Sequence, residues 1–154
     1  MARARSGTMA RRRVRPTPKP KEVRPSTEKV EPESVRLVRG RGTAARGGGA
    51  GGAYWHIYVG EQRAGFVFIN VIDLAPFGAH ASINIQVNRA WQGRGIGSIA
   101  YRSACSSSEH DVVLAHMRKS NVASRRAALR AGFAEVEGDA GSQLTMCWSR
   151  ASQP

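Results

Sequence analysis

Hydrophobic and polar residues alternate strictly along residues 80–87, HASINIQV. The apolar positions are Ala81, Ile83, Ile85 and Val87, and the polar positions are His80, Ser82, Asn84 and Gln86. A period of two is typical of a strand with one buried and one polar face. Two apolar runs within residues 54–73, YWHIYVGEQRAGFVFINVID, flank a polar turn at 60–63 and predict a β-hairpin. A shorter alternation at 34–39, SVRLVR, predicts a first strand.

The apolar spacing becomes helical after residue 94. Ile96, Ile99, Ala100 and Ala104 predict a helix from Gly95 to about Ser106. Residues 111–117, DVVLAHM, predict a short buried strand.

A second helix is predicted for residues 120–132, SNVASRRAALRAG. Ser120 or Asn121 can cap its start, and Gly132 stands where a left-handed residue ends helices. FAEVE at 133–137 and SQLTMCW at 142–148 predict two closing strands around the turn GDAG. The order of elements indicates a mixed α/β sandwich.

Composition divides the chain into a tail and one domain. Residues 1–50 hold 14 of the 24 Lys and Arg but 4 of the 11 Asp and Glu, so they carry most of the formal charge of +13. Residues 1–33 are also Pro-rich and poor in large apolar side chains, which predicts a disordered basic tail. The folded domain is predicted to span 34–150 with a flexible Gly-rich loop at 40–53, and 151–154 are predicted to be disordered.

The tail has the charge for non-specific nucleic-acid contact through residues 1–46, but it has no aromatic residue that could stack on bases. No apolar stretch follows its arginines as in a secretory signal, and no run is long enough to span a bilayer, so no membrane association is expected. Cys105 and Cys147 lack metal-ligand spacing, so no metal site is predicted, and this cysteine usage suits the cytoplasm.

The stretch VNRAWQGRGIGS, residues 87–98, combines a strand end, three glycines and a helix start. Such a loop directs backbone N–H groups outward at the positive end of a helix dipole, which predicts an anion site, most simply for phosphate. The spacing fits neither the dinucleotide fingerprint nor the P-loop, and a purely structural turn is the alternative interpretation.

Two motifs together resemble the GCN5-related N-acetyltransferase (GNAT) superfamily. Gln92, Gly95 and Gly97 match its Gln/Arg-x-x-Gly-x-Gly/Ala loop, and Asn121, Ser124, Gly132 and Phe133 match its Asn-x-x-Ser helix that ends in Gly-Phe. The resemblance covers about residues 54–148. It implies a mixed, mostly antiparallel sheet flanked by helices, with the two usual helices after the first strand reduced here to the Gly-rich loop.

The resemblance also implies acetyl-CoA as co-substrate. The residues that it assigns to the pyrophosphate loop are Gln92, Gly93, Arg94, Gly95, Ile96, Gly97 and Ser98. Val87 would contact the pantetheine through its backbone, and Asn121 with Ser124 would line the other side. For Asn121 and Ser124, ordinary helix capping is the alternative role.

The resemblance implies direct acetyl transfer to an amine, which needs a base and an acid. The tyrosine that many family members carry seven residues after the motif asparagine is Ala128 here. Tyr101 on the preceding helix is a candidate acid, although it is not a positional equivalent, and a water or stabilisation of the thiolate by the helix end is the alternative. His116 stands where some members carry a glutamate base, with His80 and Asp73 as second choices. A strand histidine held by its neighbours is the structural alternative for His116.

Without the two usual helices, the acceptor site is either open or completed by a second copy of the chain in a homodimer. An open site admits an amine of a small molecule, a peptide or a nucleobase. Trp55 and Tyr58 on the hairpin are candidates for this groove or for the core. The competing hypothesis is a non-catalytic or nucleic-acid-associated protein of the same fold whose basic tail supplies binding.

Overall fold

The computed structural model describes residues 26–136 and 141–154 of the chain. Its strands are β1 Val35–Gly40, β2 Ala53–Val59, β3 Gln62–Leu74, β4 Gly78–Val87, β5 Val112–Arg118, β6 Ala134–Glu135 and β7 Gln143–Ser149. Its helices are α1 Ile96–Ser107 and α2 Val122–Arg130, and short 3-10 turns span Pro32–Ser34, Arg89–Trp91 and Arg150–Ser152. This order of elements confirms the predicted one.

The strands form one sheet in the order β1-β2-β3-β4-β5-β7-β6. Every neighbouring pair is antiparallel except β4 and β5. The predicted mixed, mostly antiparallel sheet is therefore confirmed.

Strands β4 and β5 diverge soon after they meet. Their register contains only the pairs Ala81 with Val113 and Ser82 with Leu114. Beyond these pairs, residues 83–87 of β4 and 115–118 of β5 have no partner across the gap among the described strands. The edges that face this gap can accept an extended ligand as an additional strand.

The two helices pack on one face of the sheet. The core there consists mainly of aliphatic side chains, such as Ile57, Val67, Ile69, Ile83 and Val113, each at most 2% exposed. Helical residues complete the same cluster. This burial follows from the alternation, because each strand places every second side chain on that face.

The opposite face carries a different set of side chains. Its residues include Tyr54, His56, Phe66, Phe68 and His116, whose positions alternate with the aliphatic core. Their rings contact one another, as in Tyr54 with Phe66 at 5.7 Å between centroids. No helix of the described chain joins β1 to β2, so the two usual helices are reduced to residues 41–52, as predicted.

The Gly-rich segment is more structured than the flexible loop that its composition predicts. The Asn70 side chain accepts from Gly47 N at 2.7 Å and donates to Ala45 O at 2.8 Å. Gly48 N donates to Thr43 O at 2.8 Å. A Cβ on Gly47 would lie 2.2 Å from Ala53 O, so glycine permits the backbone to fold tightly there.

Both ends of the described chain differ from the predicted domain boundaries. Residues 26–33, which we call the strap, lie beside the glycine loop, and Val30 packs against the core. At the other end, Gln153 donates to Ser149 O at 3.1 Å. Residues 26–33 and 151–154 therefore belong to the folded unit, because backbone and side-chain hydrogen bonds offset their unfavourable composition. The predictions for residues 1–25 and most of the turn GDAG lie outside the described residues.

Three local predictions have clear outcomes. Asn121 caps α2 and Gly132 follows it with φ +95°, as the sequence indicates. Trp55 lies in the core, whereas Tyr58 lies half-buried on the opposite face. Neither helix in the described part of the chain is long and apolar enough to cross a membrane.

Candidate active site

A groove of about 510 Å³ opens between the end of β4, the glycine loop, the N-terminal half of α1 and one side of α2. It brings together both halves of the sequence motif. The predicted coenzyme residues that line it are Val87, Gln92, Gly93, Gly95, Ile96, Gly97, Ser98, Asn121 and Ser124. Arg94 is the one predicted coenzyme residue that does not line it.

The glycine loop forms the bottom of this groove. Gly93 and Gly95 have φ of +74° and +84°, a region that residues with side chains rarely adopt. Gly95 is the N-cap of α1 and makes no side-chain cap hydrogen bond. Space around Gly93 is open, and a Cβ on Gly95 would meet only Lys29 Cδ at 3.7 Å. The first amides of the helix are therefore accessible to an anion, and the cradle fits a phosphate group.

The two side chains predicted to flank the phosphate loop bind protein groups in this structure. Gln92 Nε2 donates to Val87 O at 3.0 Å, which closes the end of β4. Arg94 Nε donates to Glu28 O at 2.8 Å, and its guanidinium lies over the Trp91 ring at 4.6 Å. Arg94 thus holds the strap in place.

A residue that the sequence did not indicate lines the groove. Lys29 Nζ donates to Gly93 O at 3.0 Å, directly at the loop. Arg126 and Arg130 of α2 also line the groove. Composition could not reveal Lys29, because it is one cation among many in a stretch that lacks apolar periodicity.

The opposite wall is formed by α1 and α2. Asn121 Oδ1 accepts from Ser124 N at 3.2 Å, so Asn121 has the capping role that was its structural alternative. Tyr101 and Ser124 both line the groove, and burial raises the pKa of Tyr101 to about 12. Gly97 lets the two helices approach, since a Cβ there would lie 3.3 Å from Ala127 Cβ.

The candidate bases lie together on the other face of the sheet. His80 Nε2 and His116 Nε2 are 2.8 Å apart, and His116 Nδ1 is 3.0 Å from Thr145 Oγ1. Phe77 packs against both imidazoles, at 6.0 and 5.6 Å between ring centroids. Ile72 pairs with His80 across β3 and β4, so the two side chains share one face of the sheet. Asp73 is the next residue after Ile72 and therefore faces the other side, away from the histidine pair.

The hydrogen-bond partners of His80 and His116 indicate which ring nitrogens carry a proton. His80 Nδ1 lies 2.7 Å from Gly78 O, and a carbonyl oxygen only accepts, so this nitrogen carries a proton. When both rings are neutral, His80 Nε2 accepts from His116 Nε2–H, and His116 Nδ1 accepts from the Thr145 hydroxyl. Thr145, which is 2% exposed, is a member of the site that the sequence did not single out.

The histidine pair lies near the point where the sheet opens. His116 is two residues beyond Leu114, the last residue of β5 that pairs with β4, and it shares a face with Leu114. A ligand chain that enters from the glycine loop and follows the gap between the strands leads toward this point. His80 and His116 themselves are not among the residues that line the groove.

Comparison with known proteins agrees with this geometry. A profile of the acetyltransferase (GNAT) family matches residues 19–133, well over half of the chain. No curated protein matches the sequence significantly.

Several solved acetyltransferases are similar in structure. The N-acetyltransferase PseH of Campylobacter jejuni in complex with acetyl coenzyme A has a TM-score of 0.53 and 15% identity, over 66% of this chain and 70% of that one. RimL, a ribosomal L7/L12 alpha-N-protein acetyltransferase in complex with coenzyme A, has a TM-score of 0.55 and 17% identity, over 68% and 65% of the two chains.

A spermidine N-acetyltransferase from Vibrio cholerae in complex with CoA and spermine has a TM-score of 0.53 and 14% identity, over 66% and 68% of the chains. The chain thus spans about two thirds of the length of these structures. Identities this low show a shared fold, whereas the family itself is shown by the profile match. The chain belongs to the GNAT acetyltransferase family.

Proposed function

We propose that this protein transfers an acetyl group from acetyl-CoA to the amine of an acceptor. The observation that carries the proposal is the groove, which gathers the loop motif and the helix motif where β4 and β5 diverge. Family membership and structural similarity to N-acetyltransferases support the same activity.

Acetyl-CoA supplies a thioester-activated acetyl group. The accessible amides at the start of α1 are suited to bind its diphosphate, and the unpaired backbone of residues 83–87 can hydrogen-bond an extended arm. The intact cradle favours this activity over a non-catalytic protein of the same fold, for which open space above the glycines has no use.

The acceptor amine must lose a proton before it can attack, and we assign His116 as the base. The Thr145 hydroxyl passes its proton to His116 Nδ1 and takes the amine proton in its place, while the His116 Nε2 proton moves to His80 Nε2. The positive charge then lies on His80, which donates to Gly78 O and to His116.

Tyr101 has a smaller role in this scheme. A phenol whose pKa is raised to about 12 by burial stays protonated at neutral pH and is a poor proton donor to a thiolate. It lines the groove next to Ser124, so it can orient the ligand through a hydrogen bond. The acceptor amine reaches the histidine pair from the face that α1 and α2 leave uncovered.

The test is calorimetry of the full chain with acetyl-CoA, beside the variants Gly95→Trp and Gly60→Trp. Both glycines have positive φ, and a Cβ would meet nothing within 4 Å at Gly60 and only Lys29 Cδ, at 3.7 Å, at Gly95. Gly60 lies in the β2–β3 turn, away from the groove. We expect Gly95→Trp to lose acetyl-CoA binding and Gly60→Trp to keep it, because only the first fills the cradle. An amine panel that follows release of free CoA thiol then identifies the acceptor. A folded wild type that binds no acetyl-CoA would overturn the proposal.

A further inference from the structure

The strap, residues 26–33, lies along the glycine loop and forms part of the groove. Val30 N donates to Arg94 O at 3.0 Å, and Arg94 Nε donates back to Glu28 O at 2.8 Å. Val30 packs against the core from the same segment. These contacts fix the backbone on both sides of Lys29 and so fix where its side chain begins.

The Lys29 side chain extends over the loop. Its Cδ is the nearest atom, at 3.7 Å, to the position that a Cβ on Gly95 would take, and its Nζ reaches Gly93 O at 3.0 Å. An ammonium has three N–H donors, and the Gly93 carbonyl accepts one of them. Two donors and a full positive charge are therefore placed directly beside the open cradle.

The charged side chains that line the groove are all positive. Lys29 from the strap and Arg126 with Arg130 from α2 line it, and no carboxylate is among its lining residues in the described chain. Three cations from two separate elements along one groove complement a ligand with several negative charges. Lys29 is the one of the three that also touches the loop.

We propose that Lys29 binds the diphosphate of the coenzyme. The strap is then part of the coenzyme-binding site. The inference rests on the proposed function, since it takes the anion in the cradle to be that of acetyl-CoA. Backbone amides of α1 contribute partial charges, whereas the Lys29 ammonium contributes a full charge at the position of Gly93 and Gly95.

Lys29 also holds the loop through Gly93 O, and the test must separate this structural contact from binding of phosphate. Lys29→Gln keeps a donor for Gly93 O but removes the charge. Lys119→Gln is the matched control, because Lys119 is the other lysine of the described chain and does not line the groove. Calorimetry of each full-length variant with CoA, 3′-dephospho-CoA and S-acetylpantetheine compares ligands with and without the diphosphate.

We expect Lys29→Gln to weaken CoA and 3′-dephospho-CoA by the same factor, roughly tenfold, and to leave S-acetylpantetheine unchanged. The factor should shrink at high salt, since screening weakens charge attraction. Lys119→Gln should match the wild type with all three ligands.

Two results would overturn the inference alone while the proposed function stands. The first is equal CoA affinity of Lys29→Gln and wild type, which would leave Lys29 with a structural contact only. The second is a loss confined to CoA, which would place Lys29 at the 3′-phosphate. Failure of the wild type to bind CoA at all would instead overturn the proposed function and this inference with it.

Discussion

The two faces of the sheet are built from the same strands but from different chemistry. Adjacent residues of β3 show the contrast: Ile69 is fully buried under the helices, whereas Phe68 is half-buried on the opposite face. The helix face is aliphatic and supports α1 and α2, which form the groove. The uncovered face is aromatic and carries the histidine pair.

In the proposed mechanism, this difference separates coenzyme binding from proton transfer. The groove depends on glycines and helix ends, whereas the proposed base depends on side chains across β4, β5 and β7. Substitutions on the uncovered face should therefore change the reaction rate without changing coenzyme affinity, and substitutions under the helices should change stability first.

The largest effect is expected for His116→Ala. Removal of a positioned base costs about 10²- to 10⁴-fold in rate, so kcat should fall by that factor once the acceptor is known, while CoA affinity stays that of the wild type. Steady-state kinetics and calorimetry on the same preparation measure the two quantities. A rate that exceeds one tenth of the wild-type value would exclude His116 as the base.

Stability should distinguish the two faces next. Ile69→Ala removes a fully buried side chain and should lower the free energy of unfolding by about 2–5 kcal/mol. Phe68→Ala should cost about 1 kcal/mol, because its ring keeps contact with solvent in the folded state. Urea unfolding of both variants measures the difference. Equal losses would mean that another part of the protein covers the aromatic face.

The smallest effect is expected from His56, which sits on the uncovered face. Burial, and after it the nearby Arg63 charge, lowers the pKa of His56 below its usual value of 6.5. As pH falls through 6.5, the unfolded chain takes up a proton that the folded chain resists, so stability falls with pH.

His56→Phe removes this titration, and its free energy of unfolding should fall less than that of the wild type between pH 7 and pH 5.5. Chemical unfolding at the two pH values tests this. The substitution also removes His56 Nδ1, a buried nitrogen without a hydrogen-bond partner among the described residues, so the variant should not be less stable at pH 7 on that account. A steeper loss in the variant would contradict the assignment.

The sequence predicts the elements well, because strands with alternating faces and a capped helix are specified locally. Residues 80–87, HASINIQV, lie in β4 as predicted. Asn121 lies at the start of α2 and Gly132 follows its end, also as predicted. The contacts of the Gly-rich segment could not be predicted locally, because they are made with Asn70, a residue more than twenty positions away. The contacts of the strap could not be predicted for a similar reason, since its partners Gly93 and Arg94 are distant in the chain.

The sequence motif predicts the backbone conformation of the glycine loop. It does not predict which side chains contact the loop, because those contacts depend on the tertiary structure. Gly93 and Gly95 follow from the need for positive φ, but nothing local indicates that Arg94 turns to Glu28 and leaves the groove to Lys29. Thr145 became part of the site only through pairing of β5 with β7.

The strap also has a consequence for the order of folding. Lys29 and Gly93 are 64 residues apart, whereas β2, β3 and β4 pair through short turns. Closing a long loop costs more entropy than closing a hairpin, so the hairpins can form early and docking of the strap must wait for the loop to take shape. Affinity for the coenzyme should therefore appear late in refolding, after most of the sheet has formed.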